Sequence, residues 1–212
     1  MGKYAERNRL PPHAIAQGDP PAVAAIKDDH QMFRALFDLA EASDGRSLVA
    51  LSREICVRLA MHMVIEEEIL YPALKPAIGI SEIDEGIVEH EVARRLIVEI
   101  ARMTGGEELY KARVHVLGEE TMHHLDEEDR ELLPKARAAW EQGKVDLALI
   151  GQQIQDRRRE LYEELDSMWA DRTQLDVESA GDALDEIPSP ATPLPMSGEA
   201  RGYLSVSLQS AG

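Results

Sequence analysis

The sequence predicts an all-α protein: an up-down-up-down four-helix bundle with an additional C-terminal helix and a disordered tail. Three observations carry that expectation. Apolar residues recur at offsets of three and four through five successive segments. Short runs rich in Gly, Pro, Ser and Asp separate those segments. Strand signals are nearly absent, with no sustained alternation and only 4% aromatic residues.

Residues 1–20 read as an N-terminal extension, and the Pro-rich "LPPHAIAQGDPP" (10–21) leads from it into the first helix. The first helix starts near residue 21 and ends at "SDGRS", where Asp44 and Gly45 supply turn chemistry. The second runs from about Ser47 to Leu74 and stops at "KPAIG". The third starts at "SEIDEG", where Ser81 followed by Asp84 is a capping signal, and ends at "TGGEE". The fourth runs from there through Pro134, with a small bend, to Trp140. Residues 21–140 are thus the bundle.

Residues 141–172 hold a further helix, from about 143, with Leu147, Ile150, Ile154, Leu161, Leu165 and Met168 near helical spacing. It reads as a flank packed on the bundle or as a homodimer contact. From 173 to 212 the pattern lapses. "DEIPSPATPLPMSGEARG" has four prolines within eight residues and little to bury, the composition of a flexible, partly extended linker. It ends in the apolar "YLSVSLQSAG".

Composition narrows the function. The 212 residues with 44% apolar content suffice for one core, and 40 acidic against 23 basic residues give a formal net charge of −17. Such a charge disfavours nucleic acid and anionic membrane surfaces as partners. The single cysteine, Cys56, excludes an internal disulfide and reads as a small buried hydrophobe. The N-terminal stretch has no apolar signal core, and no run of about 20 apolar residues occurs, so a cytoplasmic protein is expected.

The chemistry lies in two stretches in register, "HMVIEEEILYP" (62–72) and "HLDEEDRELLP" (124–134), where His, Glu, Leu and Pro recur at the same offsets. Helical spacing places His62 and Glu66 one turn apart on the core face of helix 2, and His124 and Glu128 likewise on helix 4. His30 shares a face with Ile26, Phe33 and Phe37, and His90 with Ile83, Ile87 and Ile97. Every helix of the bundle therefore points one histidine inward. Burying four imidazoles and two carboxylates uncompensated costs several kcal/mol per charge, too much for a domain of about 5–15 kcal/mol net stability. A pair of cations removes that penalty, and mixed His and carboxylate ligation favours iron or manganese over structural zinc. His13, His115 and His123 fall outside the pattern. Glu67, Glu68, Glu127 and Asp129 read as a solvated face, with Asp129 a competitor of Glu128 for the bridging position.

The ordered set His30, His62-x-x-x-Glu66, His90, His124-x-x-x-Glu128 resembles the hemerythrin and HHE cation-binding family over about residues 21–140. The resemblance implies a non-haem di-iron centre with an oxygen bridge between two iron ions. It makes His30, His62, His90 and His124 terminal ligands, and Glu66 and Glu128 the bridges. There are departures: oxygen carriers have a second histidine where Arg94 stands here, and their last carboxylate corresponds to Asp129. Water or a tyrosine such as Tyr110 would complete the ligand set. Arg94 reads either as a side chain reaching solvent or as a neighbour of the metal pocket. Fewer histidines favour reaction over reversible oxygen carriage, as in hemerythrin-like proteins linked to peroxide or nitric oxide.

The resemblance thus implies O2, H2O2 or NO as the small-molecule ligand, in stress protection that includes catalase-like peroxide decomposition. The alternative is an oxygen- or iron-binding or sensing protein without turnover. Residues 203–210 are similar to the peptides by which cargo docks inside encapsulin nanocompartments, one residue shorter in spacing than the commonest form. Alternating Leu204, Val206 and Leu208 would fill apolar pockets on a shell protein.

Overall fold

The computed structural model describes residues 18–79 and 81–179, and side chains at 81–82 and 167–179 lie outside the described set. Among the described residues there is no strand. The elements are α1 (Pro21–Glu41), α2 (Gly45–Ile65), α3 (Tyr71–Ile78), α4 (Ser81–Ala101), α5 (Tyr110–Glu127), α6 (Leu133–Glu141) and α7 (Leu147–Ser179). Two five-residue π turns, Glu66–Leu70 and Glu128–Leu132, join α2 to α3 and α5 to α6 into two long helices.

Helix α1 packs on α2, α2 on α4, α4 on α5 and α5 back on α1, so the four long helices close a ring around one core. Phe33, Ile26, Ile55, Leu59, Leu117 and Leu125 are fully buried inside it. These are positions that helical spacing places on one face.

Boundaries follow local chemistry. Pro21 opens α1, where a missing N–H costs nothing. The second long helix runs four residues past Leu74 and stops at Gly79, whose φ of +103° suits glycine and whose N–H bonds back to Lys75. Asp146 caps α7 by accepting the N–H groups of Ala148 and Leu149, so that helix starts at Leu147 instead of near 143. It continues past residue 172 to Ser179, since no Pro or Gly interrupts residues 173–179. Leu147, Ile150, Ile154, Leu161 and Leu165 are buried at 4% exposure or less, with α1 the main partner, so this apolar face is occupied within the chain. The cap expected from Ser81, the position of Met168, the N-terminal segment 1–17 and the tail 180–212, including the docking-like peptide 203–210, lie outside what the structure describes.

The two π turns explain the recurring prolines. Tyr71 N–H bonds Glu66 C=O and Leu133 N–H bonds Glu128 C=O, each five residues back. A proline in a plain α-helix strikes the carbonyl four residues earlier. At Pro72 and Pro134 the widened turn just before takes up that conflict, and helical structure continues through both prolines. Glu66 and Glu128 are the first residues of the two widened turns.

Candidate metal centre

All six predicted residues meet in the middle of the bundle. His30, His62, Glu66 and His90 are at most 2% exposed, and His124 and Glu128 are 5% exposed. The four Nε2 atoms point at the two carboxylates. His62 Nε2 lies 3.2 Å from Glu66 Oε1, while His90 and His124 Nε2 lie 3.3 and 3.9 Å from Glu66 Oε2. His30 and His124 Nε2 lie 3.3 and 3.7 Å from Glu128 Oε2.

The donors form two groups, each compact enough for one cation: His30, His62, Glu66 and Glu128, and Glu66, His90 and His124. Glu66 belongs to both and presents one oxygen to each. The competition between Glu128 and Asp129 resolves by position, because Glu128 faces the centre and Asp129 stands behind His30.

Behind each histidine stands a carboxylate that sequence reasoning left on a solvated face or passed over. His30 Nδ1 pairs with Asp129 (2.9 Å), His62 with Asp29 (3.3 Å), His90 with Glu67 (2.8 Å) and His124 with Glu89 (2.7 Å). Since an ionised carboxylate only accepts, each Nδ1 donates, which turns Nε2 of each imidazole toward the centre. These pairs form a circuit: α1 supports the histidine of α2, the turn after α2 that of α4, α4 that of α5, and the turn after α5 that of α1. A signal for it was present in sequence, for each supporting acid sits beside a central residue: Asp29 by His30, Glu67 by Glu66, Glu89 by His90 and Asp129 by Glu128. A helical step of about 100° places such a neighbour at the edge of the inward face.

Arginines hold three of the four acids. Arg34 contacts Asp129 at 3.0 Å, Arg94 contacts Glu67 at 2.5 Å and Arg158 contacts Asp29 at 2.6 Å. Arg94 therefore neither lines the centre nor simply reaches solvent; it acts on His90 through Glu67. Arg158 brings α7 into the same system, beyond its packing role.

The expected tyrosine is a different one. The Tyr110 hydroxyl is hydrogen-bonded to Ser52. Tyr71 instead donates to Glu128 Oε1 at 2.9 Å and stacks on His90 with ring centroids 5.7 Å apart. Gly86 makes room for it: a Cβ there would stand 2.9 Å from the Tyr71 hydroxyl oxygen.

Electrostatics favour a cation. Burial raises the Glu66 carboxyl, but His62, His124 and His90 outweigh that and hold it well below the usual range. Burial lowers His30, but its hydrogen bond to Asp129 and the nearby charge of Glu128 carry it up to about 9. Burial and the Glu128 charge keep Tyr71 protonated, well above the ordinary phenol value. His30 Nε2, His62 Nε2, both Glu66 oxygens and Glu128 Oε2 are buried without a hydrogen-bond partner. Orphaned donors of this kind are costly in an apolar core, and metal ligation is the chemistry that satisfies them together. Cys56 joins no donor group; burial pushes its thiol up to about 12.

Comparison with known proteins agrees with this geometry. The Hemerythrin HHE cation binding domain matches residues 22–136, more than half of the chain. A curated protein named DNA nickase, from Nostoc sp. (strain PCC 7120 / SAG 25.82 / UTEX 2576), is 27% identical over 129 residues, covering 58% of this chain and 37% of that protein. The chain thus spans little more than a third of that relative's length. No solved structure matches. Among the described residues no helix is long and apolar enough to cross a membrane. With this match laid over a bundle whose helices bring four imidazoles and two carboxylates to one buried point, the chain belongs to the hemerythrin HHE cation-binding family and has the donors to bind metal cations.

Proposed function

We propose that the chain is a non-haem di-iron protein that reacts with O2, H2O2 or NO, with His30, His62, His90 and His124 as terminal ligands and Glu66 and Glu128 as carboxylate ligands. The observation that carries this reading is the pair of donor groups sharing Glu66, whose two oxygens serve one position each. Nitrogen and oxygen donors without thiolate favour iron or manganese. Bound there, the irons supply redox and Lewis-acid chemistry to a small oxidant.

The chain's own residues set the conditions for that chemistry. The four supporting carboxylates fix each imidazole with its Nδ1 donating and its Nε2 turned inward. Tyr71 holds a proton on its hydroxyl beside Glu128 Oε1, which leaves Oε2 free toward the centre. The position built from His30 and His62 has four donors, while that of His90 and His124 has three. The latter borders a cavity of about 110 Å3 that includes His124 and Glu128 in its lining, which gives a small molecule a place to approach. This asymmetry supports reaction over storage of a bound ligand.

A sensing role without turnover is the second reading, with the segment after α7 as output; Arg158, which ties α7 to Asp29 and so to His62, supports it. Docking of residues 203–210 to an encapsulin shell rests on the sequence similarity of that peptide. Strand nicking is not carried over from the Nostoc relative, because a net charge of −17 opposes approach to a phosphate backbone.

Peroxide decides between turnover and sensing. The iron-loaded chain should release O2 from H2O2 over many cycles, and deleting residues 180–212 should leave that rate unchanged. A single stoichiometric reaction that stops after one equivalent would refute turnover and leave the sensing reading.

A further inference from the structure

Outside the buried centre lies a third donor group, Glu89, His123 and Glu127, two of whose members also line the cavity. His123 Nε2 lies 3.5 Å from Glu127 Oε1 and 3.8 Å from Glu89 Oε1, and one donor atom from each residue falls within a 4.8 Å cluster. His123 is largely exposed, so this group is open to solvent. Glu89 spans the two levels: Oε1 faces His123, and Oε2 binds His124 Nδ1 at 2.7 Å.

The 110 Å3 cavity that Glu89 and Glu127 help to line is walled also by Glu85, Glu128 and Glu131 with His124. Glu128 is 5% exposed and belongs both to this lining and to the buried centre, where its Oε2 lies 3.3 Å from His30 Nε2. His124 apart, every ionisable residue of the lining is a glutamate, and neither lysine nor arginine is among them. A low-dielectric recess walled by one sign of charge concentrates counter-ions and raises their capture rate by about 10- to 1000-fold.

We propose that Glu89, His123 and Glu127 form an outer site for a divalent transition-metal cation and that the acidic cavity is the route by which cations pass inward to His124 and Glu128. This inference rests on the di-cation reading of the buried centre. A borderline cation suits one imidazole and two carboxylates better than a hard cation does, since the imidazole nitrogen is a poor ligand for calcium or magnesium. Glu127 Oε1 also lies 3.9 Å from Arg130 Nη2, a long contact to a largely exposed side chain that a cation would displace. The site is open and has only three donors, so it holds its cation weakly and passes it on.

The test is loading of the full chain with Co2+, followed by its visible spectrum and by metal content after desalting, in the wild type and in a His123→Ala, Glu127→Gln double variant. Both positions are on the surface, and helicity by circular dichroism checks the fold. The wild type should bind two Co2+ tightly and a third weakly. The variant should keep the two tight ions, lose the third, and load about tenfold more slowly at limiting Co2+. A variant that keeps the third ion, or loads at the wild-type rate, would overturn the proposal. So would a folded variant that loses a tight ion, since His123 and Glu127 would then belong to the buried centre. Failure of the wild type to hold two tight ions would instead strike the di-cation reading itself.

Discussion

Replacing Asp29 with alanine should weaken one of the two buried cation positions far more than the other. Asp29 Oδ2 accepts from His62 Nδ1 at 3.3 Å and is held by Arg158 at 2.6 Å. His62 is 1% exposed, so without Asp29 its Nδ1–H loses its acceptor where water does not replace it. A buried donor left without a partner costs about 1–3 kcal/mol. Loss of a carboxylate behind a ligating imidazole typically lowers metal affinity about 10- to 100-fold, which is about 1.4–2.8 kcal/mol. The loss falls on the position built from His30 and His62, because the other position takes its histidines from α4 and α5, backed by Glu67 and Glu89. Asp29→Asn keeps an acceptor without the charge and should fall between. Arg158→Ala, which removes only a partly exposed partner of Asp29, should cost less than tenfold. Stepwise Co2+ titration against a competing chelator resolves the two steps. Equal weakening of both steps, or an alanine variant indistinguishable from asparagine, would refute the circuit of carboxylates as the device that orients the imidazoles.

Gly86→Ala places a Cβ 2.9 Å from the Tyr71 hydroxyl oxygen and 3.5 Å from His124 Cε1, so it should displace Tyr71 from Glu128 and alter the visible spectrum of the iron-loaded chain; a spectrum and thermal midpoint both equal to wild type would contradict that packing. Cation affinity should rise with pH. In the chelated chain His30 is raised from 6.5 to about 9, so it carries a proton at neutrality that a cation must displace. Mn2+ affinity should therefore climb between pH 6.5 and about 9, while the stability His30 lends the chelated chain is full below 6.5 and lost as pH rises through about 9; flat Mn2+ affinity over that range would exclude a protonated His30.

Much of the fold was legible because helical periodicity and turn chemistry agree along the chain. The inward faces of His30, His62, His90 and His124 followed from spacing alone, since a histidine at an apolar register position has nowhere else to point. The π turns did not follow, although the in-register Pro72 and Pro134 marked them: a sequence shows that a proline disturbs a helix, not that the turn before it widens. The supporting acids were hidden for another reason. Asp29, Glu67, Glu89 and Asp129 occupy helix edges, where a single chain segment cannot show which neighbouring helix the side chain reaches. Tyr71 over Tyr110, and the reach of Arg158 from α7, were settled only when separate helices came together.

The proposed function requires that the four Nε2 atoms with Glu66 and Glu128 hold a pair of irons. Its most direct test is the iron content of the folded chain purified with iron present, beside that of Glu66→Ala. The wild type should carry two irons per chain and the variant fewer than one, since Glu66 serves both positions. A folded wild type without iron, or a variant that keeps both ions, would contradict the claim.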